Sequence, residues 1–181
     1  MNFYHGTDQK IIAVDLTKSR LRTDFGRGFY LSDKLGNARD WAIDKSGLSG
    51  IPTVMRYDID KTLFQAEELN CLRFDKATIE WLNFVRDNRR KDFIYENKQN
   101  PRHSFDVVSG AIADDKVAIA VDKYCREKLS AEETLEEIKT IKDVFQLSLH
   151  TSLALTYIRS VSHSQYTNKR WSEWRNIGEI V

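Results

Sequence analysis

Along this chain, segments whose apolar residues fall on every second position exchange with segments where they recur every three or four, and each spacing predicts one type of element. Residues 2–5 and 27–32 are short apolar or aromatic runs bounded by Gly and Asp, and they predict strands. Between 34 and 46, Leu35, Ala38, Trp41 and Ala42 lie at helical spacing, with Asp33 placed to cap the helix. After Pro52, Met55, Tyr57 and Ile59 alternate with Val54, Arg56 and Asp58, the pattern of a strand with one buried face. From Asp75 to Asn88 the repeat of Ile79, Leu82 and Val85 beside Trp81 and Phe84 predicts a helix with a broad apolar stripe. Residues 86–103 then carry Arg86, Arg89, Arg90, Lys91, Lys98 and Arg102 with Pro101 and little periodicity, which reads as a solvated surface loop.

Further on, residues 105–110 predict a strand ending in Gly110, and Val117, Val121 and Tyr124 mark a helix. Ser130-Ala131-Glu132-Glu133 is a capping box, in which the serine hydroxyl and the glutamate each satisfy a free amide, so a helix carrying Leu135 and Ile138 starts there. Residues 144–150 predict a buried strand, and Thr151 caps a helix expected to run through Leu153, Leu155 and Ile158. The C-terminal residues show no strong pattern. Strands mixed with helices, without a regular alternation or an internal repeat, predict an α+β class and disfavour a doubly wound sheet.

Composition narrows the class. The chain has 181 residues, expected to form one domain over 1–181, and its 41% hydrophobic and 30% charged content with 2 Pro and 8 Gly excludes a disordered or collagenous chain. With 28 Lys+Arg against 27 Asp+Glu, a nucleic-acid surface would have to come from local clustering. No basic segment followed by an apolar run opens the sequence, and nowhere do about 18 apolar residues run together, so neither signal-directed secretion nor a membrane span is expected. Cys71 and Cys125 form no CxxC pair, which suits a reducing cytoplasm and disfavours a structural zinc; no metal is expected.

Two segments carry candidate chemistry: Tyr4-His5-Gly6-Thr7, and Asp24-Phe25-Gly26-Arg27-Gly28-Phe29-Tyr30-Leu31-Ser32. Taken singly, His5 reads as a hydrogen-bonded structural histidine and the glycines as turn formers. Together, in this order and spacing, they resemble the ADP-ribosyltransferase superfamily, in the branch of diphtheria toxin and the poly(ADP-ribose) polymerases described by a His, Tyr, Glu triad. The match covers residues 3–42 and extends to 105–158. It implies a split β-sheet core of two small packed sheets with surrounding helices, and NAD as co-substrate. By resemblance, Gly6 holds the nicotinamide amide through its backbone, His5 bonds a ribose hydroxyl, and Tyr30 and Trp41 sandwich the pyridinium. Thr7, Gly28 and Ser32 become contacts, and Arg27 a neighbour of the phosphates. Aromatic walls and close backbone approach suit a flat leaving group that must be held while positive charge develops at the anomeric carbon.

The third element departs from the family pattern, because a late-strand glutamate is replaced by Gln146. An amide accepts a hydrogen bond from a ribose hydroxyl but supplies no full charge and is no ordinary general base. Asp114 and Asp115 are the second source of a carboxylate, against a turn or helix cap as their ordinary role. The resemblance is closest to small bacterial toxin-like members, which implies a cytoplasmic mono-ADP-ribosyltransferase restrained by an antitoxin partner. No glutamate pair precedes the late strand, so arginine is a poor acceptor. Lys18, Arg20, Arg22 and Arg27, with Arg159, Lys169 and Arg170, and Tyr157, Tyr166, Trp171 and Trp174 as stacking groups, favour RNA over protein or DNA. Packing of those aromatics on the core is the ordinary alternative. A protein acceptor, a module that binds NAD or ADP-ribose without transfer, and an RNA 2'-phosphotransferase-like enzyme stand as alternatives.

Overall fold

The computed structural model describes residues 1–89, 104–111, 115–139 and 145–179. Within them lie strands β1 (Asn2–Thr7), β2 (Phe29–Ser32), β3 (Thr53–Ile59), β4 (Cys71–Arg73), β5 (Val107–Ala111), β6 (Phe145–Leu149), β7 (Ile158–Thr167), β8 (Arg170–Trp171) and β9 (Arg175–Glu179). The helices are α1 (Leu35–Ser46), α2 (Ile79–Arg89), α3 (Asp115–Cys125), α4 (Ala131–Ile138) and α5 (Ser152–Leu155). The class is α+β with a mixed sheet, whose strands run in the order β4-β5-β6-β2-β1-β3-β7-β8 with β9 also paired to β7. Among the described residues only β4 and β5 pair in parallel.

Where two separate small sheets are expected, the strands follow one continuous order, and the physical reason is one rung. β1 and β2 pair at Tyr4↔Ser32 alone, whereas β1 and β3 pair over six residues from Asn2↔Asp58 to Thr7↔Thr53. The sheet is therefore two longer ladders spliced through a single residue pair.

Alternation along the strands assigns two faces. On one, Phe29, Leu31, Met55, Tyr57, Ile59, Leu147 and Leu149 form a core cluster covered by Ile11, Val14, Leu16, Leu63 and Ala154. On the other, α1 lies on β1 through Ala38 and Ala42 in a cluster with Val54, while Phe25, Trp81, Leu82, Val85, Val108 and Val121 form a further cluster. Between those two clusters the register lines up Tyr30 with Ser148 and Ser32 with Gln146, a polar strip on an otherwise apolar face.

Several local expectations hold. The capping box at Ser130 and Glu133 is formed in both directions, and Thr151 accepts from the Ala154 N–H. Others are corrected. Asp33 does not cap α1: Lys34 stands at that position, and the Asp33 carboxylate accepts from the Phe145 N–H, tying α1 to β6. α2 starts at Ile79, where the Thr78 hydroxyl accepts from the Trp81 N–H, and it continues to Arg89; Arg86–Arg89 are thus helix, not loop. The remainder of the basic run, 90–103, is outside the described residues. The helix after Thr151 ends at Leu155, and Ile158 opens the long strand β7. Among the described residues no helix is long and apolar enough to cross a membrane.

Candidate functional site

The site grows from the end of the β1–β2 ladder. Met1 and Ile59 exchange both backbone hydrogen bonds, at 2.6 and 2.7 Å. By antiparallel alternation Phe3, His5 and Thr7 then direct their N–H and C=O at β3, and Tyr4 and Gly6 direct theirs at β2. Tyr4 meets Ser32 there, but Gly6 and Tyr30, next in line, form no registered pair. The side chain of His5 takes part of that place: its Nδ1 lies 2.8 Å from the Tyr30 carbonyl oxygen.

A carbonyl only accepts, so Nδ1 carries the proton and, in the neutral ring, Nε2 is left as an acceptor. Neutrality is favoured. Burial pushes the ring down from 6.5 to about 4, against the raising effect of the Tyr30 bond, and the charges of Lys45 and Arg20 push it lower. The ring also rests on Phe29, with centroids 4.8 Å apart.

Gly6 owes its lack of a side chain to α1. A methyl there would collide with the Ala38 carbonyl oxygen and lie 2.9 Å from the Ala42 nitrogen. Trp41 is 50% exposed, and the Arg20 guanidinium sits 5.5 Å from its ring centroid.

Tyr30 is held from its own loop. Its hydroxyl donates to the Gly26 carbonyl at 2.7 Å and accepts from the Phe25 N–H at 2.9 Å and the Thr23 hydroxyl at 2.8 Å. Burial raises the hydroxyl well above the ordinary tyrosine range. The ring stacks on Phe25 at 6.2 Å. Gly26 adopts φ 79°, the left-handed region that makes glycine the natural residue at this turn.

The other expected contacts are distributed as follows. The Ser32 hydroxyl accepts from the Lys34 N–H at the start of α1. Thr7 is buried and turns to Asp8 and Gln9. Arg27 donates to the Thr17 carbonyl, tethering the 16–18 turn. Gly28 packs against Ser148 and His150, where a methyl would come within 2.7 Å of His150 Nδ1. Asp114 is outside the described residues, and Asp115 is the first residue of α3.

Gln146 is 8% exposed, and its Nε2 donates to Asp24 Oδ2 at 3.1 Å. Arg89 donates to Asp24 Oδ1 from both Nε, at 2.8 Å, and a terminal nitrogen, at 2.5 Å. A carboxylate therefore touches Gln146, but it comes from the 23–28 loop. Sequence reasoning quoted Asp24 within its motif without giving it a role and placed Arg89 in a solvated run. The signal that was available is an acid immediately before the Phe25-Gly26 turn.

The C-terminal aromatics are largely engaged. Arg39 lies 5.2 Å over Trp171 and Arg56 4.6 Å over Trp174, both indoles packing against the α1 cluster, and the Tyr157 hydroxyl donates to Glu68. Among the described residues no group of three or more His, Cys, Asp or Glu side chains is arranged to hold a metal ion.

Residues 1–160 match the family described as "Protein of unknown function (DUF3990)", and the chain belongs to that family. No curated protein and no solved structure matches it.

Proposed function

We propose that this chain is an NAD-dependent ADP-ribosyltransferase with a split-sheet core of that superfamily's kind. The observation that carries the proposal is the end of the one-rung ladder, where Gly6 and Tyr30 stand next in line beyond the Tyr4–Ser32 pair, with α1 packed on Gly6 and Gln146 in register with Ser32. A carboxamide has one donor and one acceptor group to offer, and Gly6 presents the complementary N–H and C=O. The exposed face of Trp41 suits a flat cationic ring. His5 Nε2 and Gln146 Oε1 are acceptors for ribose hydroxyls, and Arg20 and Lys45, whose charges reach His5, suit a diphosphate.

In the reaction, the bond between nicotinamide nitrogen and ribose C1' breaks and its electron pair leaves with neutral nicotinamide. The acceptor's nucleophile forms the new bond to C1' and gives up its proton to solvent or to the acceptor itself. Positive charge on the ribose in between is stabilised by hydrogen bonds to its hydroxyls rather than by a carboxylate. Lys18, Arg20 and Arg22, on the loop beside the site, favour an anionic macromolecule, RNA first.

The test is incubation with NAD labelled in its adenine and a cell extract, followed by nicotinamide assay and by RNase, DNase or protease treatment of acid-insoluble label. Nicotinamide release and RNase-sensitive label support the proposal; loss of both in His5→Ala and Tyr30→Ala locates the site. Protease-sensitive label moves the acceptor to protein. A second possibility, binding without transfer, is favoured by the amide at position 146, and NAD binding without any nicotinamide release would establish it. No NAD binding at all overturns both.

A further inference from the structure

Resting on that site, we propose that Asp24 is a positioning residue that fixes which end of the Gln146 amide meets the ligand. The amide has two ends of similar shape and opposite hydrogen-bonding sense, so a ribose hydroxyl finds an acceptor only if the carbonyl is turned toward it. Nothing in the backbone of β6 decides this. Asp24 does, because a carboxylate accepts only: it takes the Nε2 donor at 3.1 Å and leaves Oε1 as the outward group. Oε1 has no partner among the described residues and is not sealed from solvent, although the residue as a whole is buried.

Arg89 completes the device. It binds Oδ1, so the two oxygens of Asp24 are divided between the guanidinium and the amide, each already holding a protein donor. The chain Arg89–Asp24–Gln146 thus transmits a charge-assisted bond to an amide whose carbonyl it polarises. It also explains how a glutamine serves where the resemblance calls for a glutamate: the carboxylate lies one residue further back, behind the amide.

The substitutions that test this follow from donor and acceptor counts. In Asp24→Asn, the new side-chain oxygen stays with Arg89 and the new NH₂ group faces Gln146. The Gln146 amide must then turn, spending its carbonyl on that NH₂ group and offering the ligand an N–H. Nicotinamide release should fall about tenfold in kcat with little change in KM, the mark of an interaction used in the transition state. In Gln146→Glu two carboxylates meet, and release falls similarly at neutral pH. The double variant Asp24→Asn with Gln146→Glu moves the charge without changing its sum: the amide now at position 24 accepts from Arg89 and donates to the carboxylate now at position 146. Release should return to the wild-type rate or exceed it.

A readout independent of turnover is the Gln146 side-chain amide in ¹H–¹⁵N spectra, which should shift in Asp24→Asn while the remaining spectrum reports an intact fold. Singles that match wild type, or a folded double variant no better than either single, overturn the proposal. Wild-type protein that neither binds NAD nor releases nicotinamide overturns the site's function and this proposal with it. A Gln146 resonance that still shifts would then show that the functional assignment failed, not the local geometry.

Discussion

Gly6 separates packing from ligand binding as the cause of a glycine, and Gly6→Ala is the perturbation that reads it. The added methyl would collide with the carbonyl oxygen of Ala38 and stand 2.9 Å from the Ala42 nitrogen and 3.1 Å from the Ala38 carbonyl carbon. All three are helix backbone, which cannot rotate aside as a side chain would. α1 has to lift by about an ångström, and overpacking of this kind costs about 1–3 kcal/mol, here toward the upper end because the obstacle is backbone. Gly36→Ala is the matched control in the same helix: nothing lies within 4 Å of its added methyl. Replacing a helical glycine by alanine there should stabilise by about 0.5–1 kcal/mol. Urea denaturation of the two variants should move the midpoint in opposite directions at an unchanged slope. A Gly6→Ala protein with the wild-type midpoint would refute the packing account. If that variant had also lost NAD binding, the glycine would be there for the ligand.

Other expectations follow from the same geometry. Tyr30→Phe removes an acceptor of the Phe25 N–H and one donor to the Gly26 carbonyl, which the Thr23 hydroxyl also reaches, and should cost about 1–3 kcal/mol, with faster amide exchange at Phe25. His5, lowered to about 4 in the fold from an ordinary 6.5, binds its proton less readily folded than unfolded. The fold therefore loses stability as pH falls from about 6.5 toward about 4, by at most about 3 kcal/mol from this group, and gains nothing further above that window. His5→Asn, which keeps a donor toward Tyr30, should flatten that part of the pH profile in urea titrations; superimposable profiles would exclude the effect. Ser130→Ala should cost about 1 kcal/mol through the lost capping box, with NAD affinity unchanged, since the hydrogen bonds of Ser130 all stay within α4.

What the sequence disclosed and what it hid divide along physical lines. β3 and α1 were legible because their burial is encoded locally, in Met55-x-Tyr57-x-Ile59 and in Ala38 and Ala42, as was α4 through its cap. β7 was hidden. Ser160, Ser162 and Ser164 alternate with Arg159, Val161 and His163, so no apolar stripe exists, yet Val161 to Ser164 are buried because β3 and β9 pair on either side. There burial is supplied by neighbours, not by hydrophobicity. At the proposed site, His5, Gly6, Tyr30 and Trp41 were named by a resemblance that rests on two short motifs, each readable locally. The Arg89–Asp24 pair spans 65 residues and joins a loop to the last turn of a helix, which no local periodicity records.

The single rung between β1 and β2 has a mechanical consequence. The face with Phe29, Leu31, Met55 and Leu147 is continuous across the splice, while the opposite face changes there from apolar to polar. The sheet is bound along one side like the spine of a book and can open only toward the other. Whatever lodges between Gly6 and Tyr30 becomes a second clasp. Amide exchange along β2 and the outer half of β1 should slow together when the ligand is added, whereas β3 and β7, deep in their own ladder, should hardly register its arrival.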